Sequence, residues 1–262
     1  MFIRKFASIA ALSLGAIASF SYADAAHAMT FTMSTGTTGP NGETNQGAYT
    51  KDKNAITIDF NDTKNEKGKT VQGKAPTTGF AQYSFSNANG QKQVGSNSWA
   101  PTGPDGEKNT SKYLQVMAGN SVTITLESLA KSFGLDWGAA HPGNTLSFFN
   151  GSTLIKTFIT ADIGKFALYS KFHPGPKADG AIKLDDGKYY QGNGYVEFFA
   201  ENSNEYFNKI VISQQAKYGG GFESDNHSFR TVPEPSLALG MLAIGGGMFL
   251  RKRKNQKSLN LG

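Results

Sequence analysis

Ser121-Val122-Thr123-Ile124-Thr125-Leu126 sets an apolar side chain at every second position, as a strand with one dry and one wet face requires. Working outward from it, short runs rich in β-branched and aromatic residues recur on both sides, separated by Gly, Asn and Pro. They are Ala55–Phe60, Phe80–Phe85, Lys112–Met117, Ser132–Trp137, Thr145–Phe149, Leu154–Ile159, Tyr195–Phe199, Phe207–Ser213 and Phe222–Phe229. Ala118-Gly119-Asn120, between two such runs, predicts a hairpin. Nothing before residue 236 sustains an apolar stripe at helical spacing. Many short strands with polar turns imply an all-β domain, a β-sandwich or jelly roll. Trp137, beside alternating strand, is expected in its core.

Three stretches read as irregular. Met29–Lys53 is a Thr/Gly/Asn-rich lead-in, Asn87–Asn109 is a Gly- and Pro-containing insert around Trp99, and Lys171–Gln191 carries several acids and His173. Loops on a rigid scaffold are where binding concentrates.

The formal charge of +6 belongs to the ends. Between Met29 and Thr231 there are 19 Lys and Arg against 18 acids, so the domain is near neutral and offers no polyanion-binding face for nucleic acid. With no cysteine in the chain, thiol catalysis and thiolate metal sites are excluded, and the core alone must hold the domain.

Residues 1–28 have the layout of a signal peptide. Arg4 and Lys5 precede an alanine-rich apolar run, and Ala26-His27-Ala28 supplies the small residues a signal peptidase reads. At the other end, Val232-Pro233-Glu234-Pro235 leads into the apolar run Ser236–Leu250, then into Arg251-Lys252-Arg253-Lys254. Two prolines around one glutamate make a stiff, extended grip for a protease. A 15-residue helix is about 22 Å long, short for a bilayer core of about 30 Å. The basic cluster would stay on the cytoplasmic side.

This three-part end resembles the PEP-CTERM sorting signal of Gram-negative bacteria. The resemblance implies recognition of Pro-Glu-Pro by an exosortase, removal of the tail and transient residence in the inner membrane, much as GPI signals are discarded. A second resemblance covers about Ser121 to Phe229. Phe133-Gly134-Leu135-Asp136-Trp137-Gly138, Gly143-Asn144-Thr145-Leu146-Ser147-Phe148-Phe149, Tyr195–Phe199, Phe207–Ile212 and Gly221–Asn226 look like the core of a family of exosortase-dependent surface proteins. The chain departs from that family at Ala140-His141-Pro142, where Ser-Asp-Tyr is usual.

The expected organisation is a signal helix (residues 1–28), the lead-in (29–53), an extracellular β-sandwich (54–230), a sorting segment with a short hydrophobic helix (231–254) and a polar tail (255–262). The expected function is that of a secreted, non-enzymatic cell-surface or matrix protein associated with exopolysaccharide or biofilm. The alternatives are a carbohydrate-binding module and, behind it, a polysaccharide-acting enzyme.

Candidate chemistry is sparse. The three histidines after residue 28 show no metal-ligand spacing, and there is no nucleophile elbow or Walker loop. Glu197 with Glu201, and Glu223 with Asp225, share strand parity, which suits a glycosidase pair but also an ordinary wet face. Calcium, a hard ion wanting six to eight oxygens, would find candidate ligands in Glu223, Asp225 and Asn226. Asp185 in Asp185-Asp186-Gly187 is a further candidate, in a stretch that also reads as a hairpin turn. Trp99, Tyr189 and Tyr190 are candidate sugar-stacking aromatics in the loops.

Overall fold

The computed structural model describes residues 29–61, 80–86, 94–96, 99–175, 177 and 180–233. The expected signal helix, with Ala26 and Ala28, lies outside them, as do Glu234, Pro235, the hydrophobic run and Arg251–Lys254. Among the described residues no helix is long and apolar enough to cross a membrane.

Strands dominate, as the alternation predicts. In chain order they are β1 (Thr30–Ser34), β2 (Ile56–Ile58), β3 (Ala81–Phe85), β4 (Val94–Gly95), β5 (Tyr113–Met117), β6 (Ser121–Gly138), β7 (Asn144–Asn150) and β8 (Thr153–Ile159). There follow β9 (Leu168–Pro174), β10 (Ala181–Lys183), β11 (Tyr189–Phe199), β12 (Phe207–Gln214) and β13 (Gly221–Thr231). The pairings between them are antiparallel.

The organising element is β6, 18 residues long. The sequence divides this stretch into two strands because its apolar parity changes: Val122, Ile124 and Leu126 are even, Phe133, Leu135 and Trp137 odd. The structure keeps one strand and absorbs the change in a bulge. Opposite β13, Arg230 pairs with Ser132 but Thr231 pairs with Ala130, so Lys131 is the extra residue. The first half of β6 lies between β3 and β12, the second between β11 and β13. Strands β7 and β8 continue outward from β12, and β5 and β4 from β13.

The aromatic side chains join these two arms. Phe148 of β7 meets Phe133 of β6, Phe158 of β8, Phe198 of β11 and Phe207 of β12, with ring centroids 4.9 to 6.2 Å apart. Trp137 is sealed in this core, stacked on Phe222 at 4.5 Å.

Three expectations are corrected. The Ala118–Asn120 turn exists, with Gly119 at φ +81°, but β5 and β6 do not pair across it, because β13 inserts between them. Asn120 N–H closes the turn on Met117 O, but the other two amides bond elsewhere, Ala118 N–H to Gly220 O and Gly119 N–H to Gln214 O, so the turn carries the chain from one arm to the other. The lead-in is part of the folded unit: β1 pairs with β11, and Met29 and Ala48 are buried. The stretch 171–191 is not all loop, since β9 and β10 flank β11 there.

The lead-in also covers the second half of β6 on the side away from the aromatic core. Ala48 N–H bonds to Asp136 Oδ2 at 2.7 Å, and Thr110 N–H of the neighbouring 99–112 segment bonds to Asn45 O at 2.9 Å. At Gly138 a Cβ would come within 2.6 Å of Pro101 Cα, so glycine is what lets this cover lie flat. The outcome is a strand end, Phe133–Gly138, buried on both faces.

Candidate functional site

Two polar places lie on that covered side. Register puts Glu223 opposite Gly138 and Asp225 opposite Asp136, and residues directly opposite share a face. The expectation that Glu223 and Asp225 line a wet face is overturned: they are 5% and 0% exposed, because the two covering segments exclude water.

The first place is a cleft of about 280 Å³. Trp99 stands at its edge, with Gln115, His141, Gln191, Glu223 and Met117 around it. The indole is 36% exposed and stacks on the His173 ring, centroids 5.9 Å apart and planes 17° apart. Burial pushes the Glu223 carboxyl up to about 8, against the smaller opposing pull of a hydrogen bond from Gln115. At neutral pH it is therefore an uncharged acid that can both donate and accept. Aromatic surface beside neutral hydrogen-bonding groups suits an uncharged polar ligand better than an ion.

One wall of the cleft is held by Asn144. Its Oδ1 accepts from the Trp137 indole N–H at 3.2 Å and from His141 N–H at 2.9 Å. Its Nδ2 donates to Gln214 Oε1 at 2.6 Å and to Gly221 O at 2.8 Å. Trp137-Gly138 and Asn144-Thr145 thus meet through one buried side chain. That contact fixes the 139–143 loop against the start of β13.

The second place is the carboxylate pair. Asp136 and Asp225 are both fully buried. Burial is the largest influence on each: it holds Asp136 well above the usual carboxylate range and lifts Asp225 to about 8, and a neighbouring acid pushes each further up. The groups opposing it are neutral donors. Asp136 accepts from Ala48 N–H, while Asp225 accepts from Asn226 N–H at 2.8 Å, Asn109 Nδ2 at 3.1 Å and Ser111 Oγ at 3.3 Å.

The structure also brings Ser224 and His227 together, with Ser224 Oγ 3.0 Å from Nε2 and Tyr83 Oη 2.9 Å from Nδ1. Nucleophile-and-base spacing is present, but neither side chain is accessible. Both are fully buried, the imidazole against Phe60 and Phe133, and burial depresses its pKa to about 3. The trio is core packing with satisfied polar atoms.

The sequence-nominated residues therefore separate. Trp99 and Glu223 share the cleft, while Asp225 and Asn226 belong with Asp136. Asp185 sits exposed in the Leu184–Lys188 turn between β10 and β11, where Leu184 N–H bonds to Lys188 O; of its two readings, this is the hairpin turn. Tyr190 is buried rather than displayed, its hydroxyl bonded to Asp186 Oδ2, and Tyr189 is half-buried at the start of β11; neither lines the cleft. Glu197 is half-buried beside Ser132, and Glu201 bonds to Thr30 at the surface. Sequence reasoning missed Asp136 and Asn109; the signal at Asp136, an acid between apolar neighbours, is shared by Asp59 and Glu197.

Among the described residues no group of three His, Asp or Glu side chains comes together as metal ligands. No protein-family model matches this chain, and no curated protein or solved structure matches it.

Proposed function

We propose that this is an exported, non-enzymatic surface or matrix protein, released to the outside by exosortase processing and associated with extracellular polysaccharide. The ectodomain in this reading is a β-sandwich of jelly-roll type, its two layers meeting through Phe148, Phe158 and Phe198. Signal peptidase and exosortase are its partners in export, and the inner membrane holds it only in transit.

The observation that carries the reading is where strand β13 ends. Strand β13 ends at Thr231, Val232 N–H makes a last bond to Leu129 O at 2.8 Å, and Pro233 is exposed. Strand β13 thus closes two residues before Pro233-Glu234-Pro235 begins, and the first proline of the motif is exposed. A protease that grips the motif at its exposed first proline would meet a site just past the last residue of β13 rather than inside it.

Intact-mass measurement on the protein from its native host tests this. The mature species should begin after Ala28 and lack everything beyond the Pro-Glu-Pro region. A mature chain that retains Arg251–Gly262 would refute exosortase processing.

A carbohydrate-binding role is favoured by the cleft, where Trp99 offers an aromatic face beside Gln115, Gln191 and the neutral Glu223. Trp99→Ala should weaken retention on polysaccharide extracted from the host by about tenfold, the worth of one ring stack. Equal retention of variant and wild type would remove the cleft from consideration and leave a structural role.

A further inference from the structure

We infer that Asp136, Asp225 and Asn226 form a binding site for a divalent cation of the calcium type, clamped between strands β6 and β13 and the Gln46–Ala48 segment. The inference is independent of sorting and of the cleft.

Asp136 and Asp225 are cross-strand partners on one face, so two carboxylates lie side by side out of water. Like charges in such a place need a cation, or else one of them must keep its proton. The ion pair among the described residues, Arg230 with Asp52, involves neither of them. The donors that reach the two carboxylates are two backbone N–H groups, the Asn109 amide and the Ser111 hydroxyl, all neutral.

A second, separate observation points the same way. Two sealed oxygens make no hydrogen bond: Oδ1 of Asp136 and Oδ1 of Asn226. The Asn226 amide is not free to turn, because its Nδ2 donates to Gln46 O at 2.8 Å and to Ala48 O at 3.0 Å. That leaves its oxygen as the unused end. Asn226 also adopts φ +49°, in the register break between Asp225 and Ser228. A left-handed conformation at a non-glycine residue costs energy and persists where the surroundings enforce it.

The group at this place is compact. A Cβ added to Gly47 would lie 2.7 Å from Asp136 Oδ2, 3.0 Å from Asn109 Nδ2 and 3.1 Å from Asn226 Nδ2. Carboxylate and amide oxygens without nitrogen or sulfur ligands are a hard donor set, and two carboxylates balance a charge of +2. Magnesium holds its own waters tightly and suits a dry, side-chain-walled place less well than calcium.

The test uses the full chain, stripped with EDTA and dialysed. Calcium at about 100 times its Kd should raise the melting temperature by about 5–10 °C. Terbium should show sensitised emission excited through Tyr195, whose hydroxyl bonds to Asn226 O at 3.2 Å, and calcium should quench that emission by competition. Asp136→Asn should lose both responses, and Asn226→Asp, which supplies an oxygen of higher charge, should keep them. If Asp136→Asn does not fold, the terbium titration of the wild type decides alone. A wild type whose melting temperature ignores both calcium and EDTA, and which gives no terbium emission, overturns the site; the pair is then a carboxylic acid sharing its proton. A folded Asp136→Asn that responds to calcium as the wild type does also overturns it.

Discussion

Phe148→Ala should destabilise the domain by about 3–5 kcal/mol, the cost of removing a fully buried Phe from a core that cannot collapse around the hole. Phe148 is 0% exposed, and its ring touches four others, from β6, β8, β11 and β12. Those partners sit on separate strands whose spacing is fixed by ladder hydrogen bonds, so relaxation into the space is limited. Edge-on contacts between rings add to the simple transfer term. Urea unfolding should show a lower midpoint with an unchanged slope, because the surface exposed on unfolding hardly changes. Phe148→Leu, which keeps most of the volume, should lose far less. A Phe148→Ala domain within 1 kcal/mol of wild type, a threshold of about one typical substitution, would mean that this ring does not join the two arms.

Asn144→Ala should cost a similar amount, about 3–5 kcal/mol, by a different route. The side chain occupies four polar partners at once: the Trp137 indole, the His141 amide, the Gln214 carbonyl and the Gly221 carbonyl. Removing it leaves the indole and His141 N–H groups without this acceptor, and Gln214 Oε1 and Gly221 O without this donor, at about 1–3 kcal/mol for each group left unsatisfied. Because Asn144 ties the 139–143 loop to the start of β13, the loss should also reach the Trp99 cleft, which His141 and Gly221 help to line. Hydrogen exchange should show earlier opening at residues 139–143 and 219–222 than elsewhere in β6 and β13. Uniform loss of protection across the sheet would count against a local role for this side chain.

What the sequence makes legible is local. Ser121–Leu126 could be read as a half-dry strand because its period of 2 is intact, and Val122, Ile124 and Leu126 are indeed buried. Trp137 could be placed in the core for the same reason. The pairing of strands could not be read, because it depends on partners distant along the chain. The Ala118–Asn120 turn looks like any hairpin until β13, about 100 residues later, takes the position beside β5. Likewise Thr30–Ser34 sits inside a polar, glycine-rich stretch that hides its short alternation of Phe31 and Met33, and its place in the sheet depends on pairing with β11, far along the chain. The acids at 223 and 225 show the limit for sites. Their alternation looks the same whether the second face meets water or a covering segment, and the cover comes from residues 36–53 and 99–112. Asp136, between Leu135 and Trp137, has the same local setting as Asp59 between Ile58 and Phe60 and Glu197 between Val196 and Phe198, so only the cover sets it apart.

The place of β13 in the sheet also sets the order in which the molecule can be completed. The last strand among the described residues lies between β5 and β6 and also carries β2, so each of those earlier strands has an unfilled side until Gly221–Thr231 has left the ribosome. An N-terminal fragment that lacks β13 leaves those sides open. Partly made chains must remain open, and final folding is dominated by contacts between residues far apart in the sequence, which makes it slow, in the range of milliseconds to seconds. Under the export proposed above, in which the chain would be threaded through a narrow passage before it folds, this arrangement is an advantage: the chain stays pliable until β13 has arrived and becomes rigid only then.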